Sequence, residues 1–261
     1  MTIILLLISF LASVAGAICG IGGGVIVKPV LDSLSVASVS TISFLSGCMV
    51  LSMSCYSVCK ELLNGESQVA FRTVTPLAVG AAAGGILGND LFSLLRAAAA
   101  QPERVGGYQA VSLAVIVLGT LLYTVKSDRI RTHNVRNIPA CLMIGLLLGL
   151  ISSFLSIGGG PINLVLFYYF FSMSTKTAAQ NSLYIIFISQ LASLLTTLAT
   201  RSVPECRMIW LIAMVAGGVM GGIAGRVLNR RLNDEQVRKL FIALMAVIIV
   251  ISCYNAKQFL F

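Results

Sequence analysis

One short segment occurs twice in this chain. Gly20-Ile21-Gly22-Gly23-Gly24 returns as Ser156-Ile157-Gly158-Gly159-Gly160, 136 residues later. Each copy lies inside an apolar stretch, and that setting limits what the chain can fold into. A glycine triplet weakens a helix because glycine loses the most backbone freedom on folding. Backbone freed from a helix in lipid also needs cover from protein or a water-filled cavity. Two such breaks at matching places in two halves are the pattern of a substrate site between transporter repeats.

The lengths of the apolar segments agree. They run Thr2–Leu34, Val39–Cys59, Val74–Leu95, Val105–Val125, Ile138–Phe171, Ala178–Ala199, Met208–Leu228 and Val237–Tyr254. Six are near the ~20 residues that a bilayer needs. The first and fifth are too long: about 33 helical residues would reach about 50 Å across a ~30 Å core. Both contain the triplet, so each is predicted to be a helix, a break and a short returning half-helix. Only 10% of residues are charged, against about 25% in a soluble domain. The expected fold class is an all-α polytopic membrane protein of two inverted repeats, each a glycine-broken hairpin plus three transmembrane helices. Residues 1–126 form the first repeat, 127–137 a basic cytoplasmic linker and 138–261 the second repeat. The segment around Val14–Cys19 has no basic flank and runs on into apolar sequence, so it reads as the first membrane helix rather than a cleaved leader.

Charge sets the orientation. The net charge is +9, but its cations cluster in short loops between apolar spans, which is the positive-inside pattern and not a nucleic-acid surface. One basic loop holds Lys126, Arg129, Arg131 and Arg136; another holds Arg226, Arg230, Arg231, Arg238 and Lys239. Both are expected in the cytoplasm. A fully crossing fifth segment would put them on opposite faces, whereas a hairpin puts them on one. Each half then makes an odd number of crossings, so the second half is inverted and the two glycine tips meet near the midplane.

A half-helix starting after each triplet aims free N–H groups and its positive dipole end at the break. Pro161 suits the first turn of such a helix. The candidate substrate-binding groups are therefore Gly22, Gly23 and Gly24 with Gly158, Gly159 and Gly160. Lys28 is a candidate cation, with snorkelling to the interface as its alternative. Asn163, Gln180, Asn181, Ser182, Ser40 and Thr41 are candidate neutral hydrogen-bonding groups, or glue between helices. Few carboxylates fall in the spans, with Asp32 and Asp90 near predicted ends, so a carboxylate proton relay has little support. Export of an anion from a negative-inside cell runs downhill by ~2.3 kcal/mol per charge per 100 mV. A second duplication, Gly84-Gly85-Ile86-Leu87-Gly88 against Gly221-Gly222-Ile223-Ala224-Gly225, reads as close helix packing.

At Gly20-Ile21-Gly22-Gly23-Gly24 with Lys28-Pro29-Val30-Leu31, and at Gly158-Gly159-Gly160-Pro161, the chain resembles the sulfite exporter TauE/SafE family of membrane permeases. The resemblance extends to Thr177-Ala178-Ala179-Gln180-Asn181-Ser182-Leu183 and Gly221-Gly222-Ile223-Ala224-Gly225-Arg226, and covers nearly the whole chain. It implies transport of small sulfur-containing or organic anions such as sulfite, thiosulfate or sulfonates. Family members usually carry Thr-Ser where this chain has Ser40-Thr41. The second hairpin has Val165 where the first has Pro29.

The leading expectation is an anion permease, integral to a bacterial plasma membrane. Its expected partners are a small anionic substrate and membrane lipid, with no nucleic acid and no cofactor. An anion channel and a non-transporting membrane partner stand as alternatives. An enzyme is not indicated: the single histidine, His133, sits in a basic loop, and no metal or nucleophile–base motif appears. The seven cysteines lack metal-ligand spacing and read as small apolar residues.

Overall fold

In the computed structural model the structure describes residues 1–34, 36–65, 68–98, 102–126, 133, 135, 137–155 and 159–260. These form ten helices and no strand. The first half holds α1 (Thr2–Cys19), α2 (Gly24–Ser33), α3 (Val39–Leu63), α4 (Phe71–Ala98) and α5 (Pro102–Lys126). The second holds α6 (Ile138–Phe154), α7 (Gly160–Phe171), α8 (Thr175–Ala199), α9 (Met208–Arg231) and α10 (Asp234–Leu260). Seven of these helices are long and apolar enough to span a membrane, and α6 and α7 are shorter apolar helices. The protein is an integral membrane protein.

Both long apolar segments break at their glycines. The first break turns through Gly20 and Gly22, at φ 69° and 68°, a region that side-chain-bearing residues rarely adopt. The chain then returns alongside α1: a Cβ on Gly23 would stand 2.9 Å from the Ala12 carbonyl oxygen. At the far end of the hairpin, Val36 and Ala37 pack against the buried cluster that contains Leu5 of α1 and Leu31 of α2. The second break turns at Gly159, with φ 87°. The end of α7 comes back to the residues just before α6, where His133 donates its N–H to the Tyr169 carbonyl at 2.7 Å and Val135 to that of Phe170 at 2.9 Å. The two segments are hairpins.

The starts of α8 and α10 lie at one end of the bundle. The N–H of Lys176, at the start of α8, bonds Asp234 Oδ1 at 2.9 Å, and Thr177 donates its hydroxyl to Gln68 Oε1 at 2.8 Å. The opposite end joins Thr41 to the Glu205 carbonyl at 3.2 Å. Of the basic loop Lys126–Arg136, Arg129, Arg131 and Arg136 lie outside the described residues.

Helix contacts repeat with the halves exchanged. α1 packs on α9 as α6 packs on α4, α3 packs on α9 as α8 packs on α4, and α5 faces α10. The two tightest seams are built from the glycine duplication. Cβ atoms on Gly80, Gly84 and Gly88 of α4 would run into backbone of Leu142, Leu146 and Leu150 on α6, and those on Gly145 and Gly149 into Leu77 and Ala81. On the other side, Gly217, Gly221 and Gly225 of α9 meet the carbonyls of Leu6, Phe10 and Val14 on α1 at 2.8, 2.5 and 2.6 Å from the ideal Cβ positions. Along both seams the contacts rise together, so each pair runs parallel. Lipid supplies no hydrophobic drive between helices, and small residues let the backbones approach closely enough to associate by packing.

Valine at Gly84 or Gly221 is therefore expected to cost about 3 kcal/mol, the upper range of overpacking, because backbone cannot move aside as a side chain does. The check is thermal unfolding in detergent against Gly119→Val, since Gly119 has open space around it. Equal midpoints for all three variants would show that the seams tolerate a side chain.

Candidate functional site

The hairpin tips touch each other. A Cβ on Gly160 would overlap the carbonyl of Ile21, so the first residue of α7 rests on the backbone of the first break. Neither α2 nor α7 has a side-chain cap at its N-terminus; the capping residues are Gly23 and Gly159. The free donors of a helix start attract negative charge when no side chain occupies them.

A cavity of about 130 Å³ lies beside the tips, and Gly22, Gly24, Gly159, Lys28 and Asn163 all line it. At about 30 Å³ per water molecule it has room for roughly four waters, or one small oxyanion. Lys28 is only 6% exposed, and its helix, not the interface, places its side chain at this cavity. Asn163 is fully buried. Its Nδ2 donates to Ser182 Oγ at 3.1 Å, Ser182 donates in turn to the Gly20 carbonyl, and Asn163 Oδ1 remains a buried acceptor without a hydrogen-bond partner. Ser182 thus ties α8 to both hairpins from behind the cavity.

The remaining expected residues lie elsewhere. Gly23 packs beneath α1 and Met49. Gly158 falls outside the described residues. Asn181 is fully buried and holds the loop before α4: its Oδ1 accepts from Ala70 N–H at 3.1 Å and its Nδ2 donates to the Thr177 carbonyl at 2.7 Å. Ser40 lines an outer vestibule of about 310 Å³ that shares Ser43, Gly47, Asn89, Gln190 and Ser193 with the central cavity. Ser40 and Thr41 also line a second outer pocket with Glu205 and Arg207, and Thr41 is bonded to Glu205. Gln180 faces the other way, into a pocket at the basic end with Glu61, Arg226, Asn229 and Arg230.

The central cavity therefore opens toward the end that holds Ser202 and Pro204. Toward the basic end it is shut by Gly20 seated on Ala179 of α8, where a Cβ would overlap the Ala179 backbone.

Sequence reasoning missed most of the polar lining: Ser43 and Ser46 of α3, Ser152 and Ser153 at the end of α6, and Ser189, Gln190 and Ser193 of α8. A signal existed. Ser46 and Val50 lie 136 residues before Ser182 and Ile186, the offset of the glycine triplets, and all four surround the tips. Ser189, Ser193 and Thr197 also recur one turn apart in an otherwise apolar span.

A family model described as sulfite exporter TauE/SafE matches residues 5–251 of the 261. A search of curated proteins found no significant match.

Proposed function

The chain belongs to the sulfite exporter TauE/SafE family, and from that premise we propose that it is a permease exporting a small sulfur-containing or organic anion: sulfite, thiosulfate or a sulfonate. One observation carries the reading: Lys28 and the uncapped starts of α2 and α7 converge on one cavity the size of a small oxyanion. A buried cation and two helix N-termini compensate an anion's lost hydration, and the surrounding serines add hydrogen-bond donors that fit oxyanions in general.

In this reading residues 1–126 and 138–261 are inverted repeats, the basic end with residues 127–137 is cytoplasmic, and the membrane is a bacterial plasma membrane. The structure is then outward-open. The pocket with Arg226 and Arg230 is the cytoplasmic approach, and movement of α8 away from Gly20 completes the alternate state. Gly22, Gly24, Lys28, Gly159 and Asn163 hold the anion. Gly160, Ser182 and Gly23 hold the tips in place. Gln180 with the two arginines receives the anion from inside, and Ser40 and Thr41 border its exit.

The test is flux into liposomes holding the purified protein, screened with sulfite, thiosulfate, sulfate and methanesulfonate. Saturable flux with counterflow is expected for at least one sulfur anion. No flux of any of them defeats the reading, and single-channel currents would replace it with a channel. Orientation is checked by labelling single cysteines beside Arg201 and Arg231 in a cysteine-free background. The two are expected to react from opposite faces, and reaction from one face would overturn the inverted repeat.

A further inference from the structure

A second, smaller cavity of about 40 Å³ adjoins the first, between α2, α5 and α10. Asp32, Gln109, Ser252 and Asn255 line it, and Lys28 lines both cavities. Three of its oxygens, Asp32 Oδ1, Ser252 Oγ and Asn255 Oδ1, are buried without a hydrogen-bond partner. Ser252 is 1% exposed and Asn255 4%. The Asn255 amide is oriented by its Nδ2, which donates to the Pro29 carbonyl at 3.1 Å, so its Oδ1 can only accept. A carboxylate oxygen and an amide oxygen, both acceptors, thus face one small space beside the Ser252 hydroxyl and the Lys28 ammonium, which can donate. Buried acceptors left without a partner are costly and rare. A proton on Asp32 converts one acceptor into a donor.

Lys28 links this group to the substrate cavity. It sits one helical turn before Asp32 on the same face of α2, and both line the small cavity. Among the described residues lining the small cavity no other side chain is charged: α5 contributes Gln109 and Leu113, α10 Ser252 and Asn255, α3 Val39, and Leu155 follows α6. One ammonium therefore serves two anions, the carboxylate and the transported ion.

Resting on the permease reading, we propose that Asp32 is a proton-coupling carboxylate that exchanges the Lys28 ammonium for a proton when an anion enters the central cavity. The empty carrier holds Asp32 as carboxylate beside the Lys28 ammonium. The entering anion takes the ammonium, and the carboxylate, left half-buried without a countercharge, takes one proton from water. When the anion leaves, Lys28 returns and the proton goes back to water. No bond other than O–H forms or breaks. A monovalent anion with its proton crosses without net charge, and a divalent one carries a single charge down the membrane potential. Asp32 is thus one of the few carboxylates within the helices.

The experiment uses thiosulfate, and methanesulfonate where flux selects it, because neither takes up a proton near neutral pH. In liposomes loaded with a pH indicator, wild-type protein is expected to move one proton with each anion. Binding in detergent, followed by calorimetry in two buffers of different ionisation enthalpy, is expected to take up close to one proton. Affinity is expected to fall about tenfold per pH unit once Asp32 is ionised in the empty carrier. Asp32→Asn is expected to bind the anion with a flat pH profile and to move it without protons. Flux of either anion with no proton movement, or proton uptake near zero on binding, overturns the coupling and leaves the permease standing. An Asp32→Asn protein that still takes up a proton also overturns it. A wild-type protein that moves none of the anions defeats the permease reading instead. The calorimetric count needs only wild-type protein, so it decides even where the variant does not fold.

Discussion

Leucine at Gly159 is expected to abolish anion flux, whereas leucine at Gly119 leaves it intact. Gly159 caps α7 at φ 87°, and a residue with a Cβ there pays about 1–2 kcal/mol for the left-handed backbone alone. Its Cβ would also stand 2.8 Å from Asn163 Oδ1, and the side chain beyond it would enter a cavity of only about 130 Å³ that Gly159 lines. Gly119, inside α5, has nothing within 4 Å of its Cβ position, and a side chain there improves helix propensity. Alanine at Gly159 separates the two contributions, because it brings the strain without filling the site; about a tenfold loss of flux is expected. Leucine at Gly23 is expected to abolish flux by another route, since its Cβ would press on the Ala12 carbonyl at 2.9 Å and part α2 from α1. The measurement is initial flux in liposomes at matched protein incorporation. Full activity in both Gly159→Leu and Gly23→Leu would reduce the triplets to packing elements with no part in transport.

Replacing Lys28 with glutamine is expected to weaken anion binding by roughly 30-fold to several thousandfold. Losing one member of a buried charge pair costs about 2–5 kcal/mol, much of it from the partner left uncompensated, and a factor of ten is about 1.4 kcal/mol. Lys28 is the cation lining the central cavity among the described residues, and it is 6% exposed, so solvent screens it little. Arginine at the same position keeps the charge and is expected to retain measurable binding with a changed anion preference, because its planar fork matches oxyanions differently from a point charge. Titration of purified protein with the transported anion reads both. Wild-type affinity in Lys28→Gln would assign recognition to the helix starts and hydroxyls alone.

Much of the architecture was legible in the sequence because the forces that set it act on composition along the chain. Segment length against bilayer thickness divided Thr2–Leu34 and Ile138–Phe171 into hairpin arms, and the structure breaks both at the predicted glycines. Arg226 to Lys239 meets the start of α8 through the bond from Lys176 to Asp234, whereas Arg129, Arg131 and Arg136 lie outside the described residues. The reading of Gly84–Gly88 and Gly221–Gly225 as packing motifs corresponds to two parallel seams.

The candidate site was legible only in part. Gly22, Gly24, Gly159, Lys28 and Asn163 meet at one cavity, but their neighbours in sequence do not all join them. Asn181 and Ser182 are adjacent and equally buried, yet one secures residues 68–70 and the other braces the hairpin tips. Ser40 and Thr41, also candidates, belong to outer pockets. The serines of α3, α6 and α8 that furnish most of the polar lining gave only a weak periodic signal.

Composition along the chain was enough to place this protein in a membrane and to mark where its helices break. These follow from additive quantities: apolar length, glycine content and the placement of charge. Which polar groups face the cavity, and which are consumed in holding helices together, rests on contacts between residues distant in the chain. In a soluble helix the polar face marks the outside and fixes the rotation of the helix. In lipid the outward face is as apolar as the core, so each helix can be turned about its axis without a change in composition to reveal it. Close backbone contacts set that rotation here: Gly160 on Ile21, Gly20 on Ala179 and the two glycine seams, each joining residues far apart in the chain.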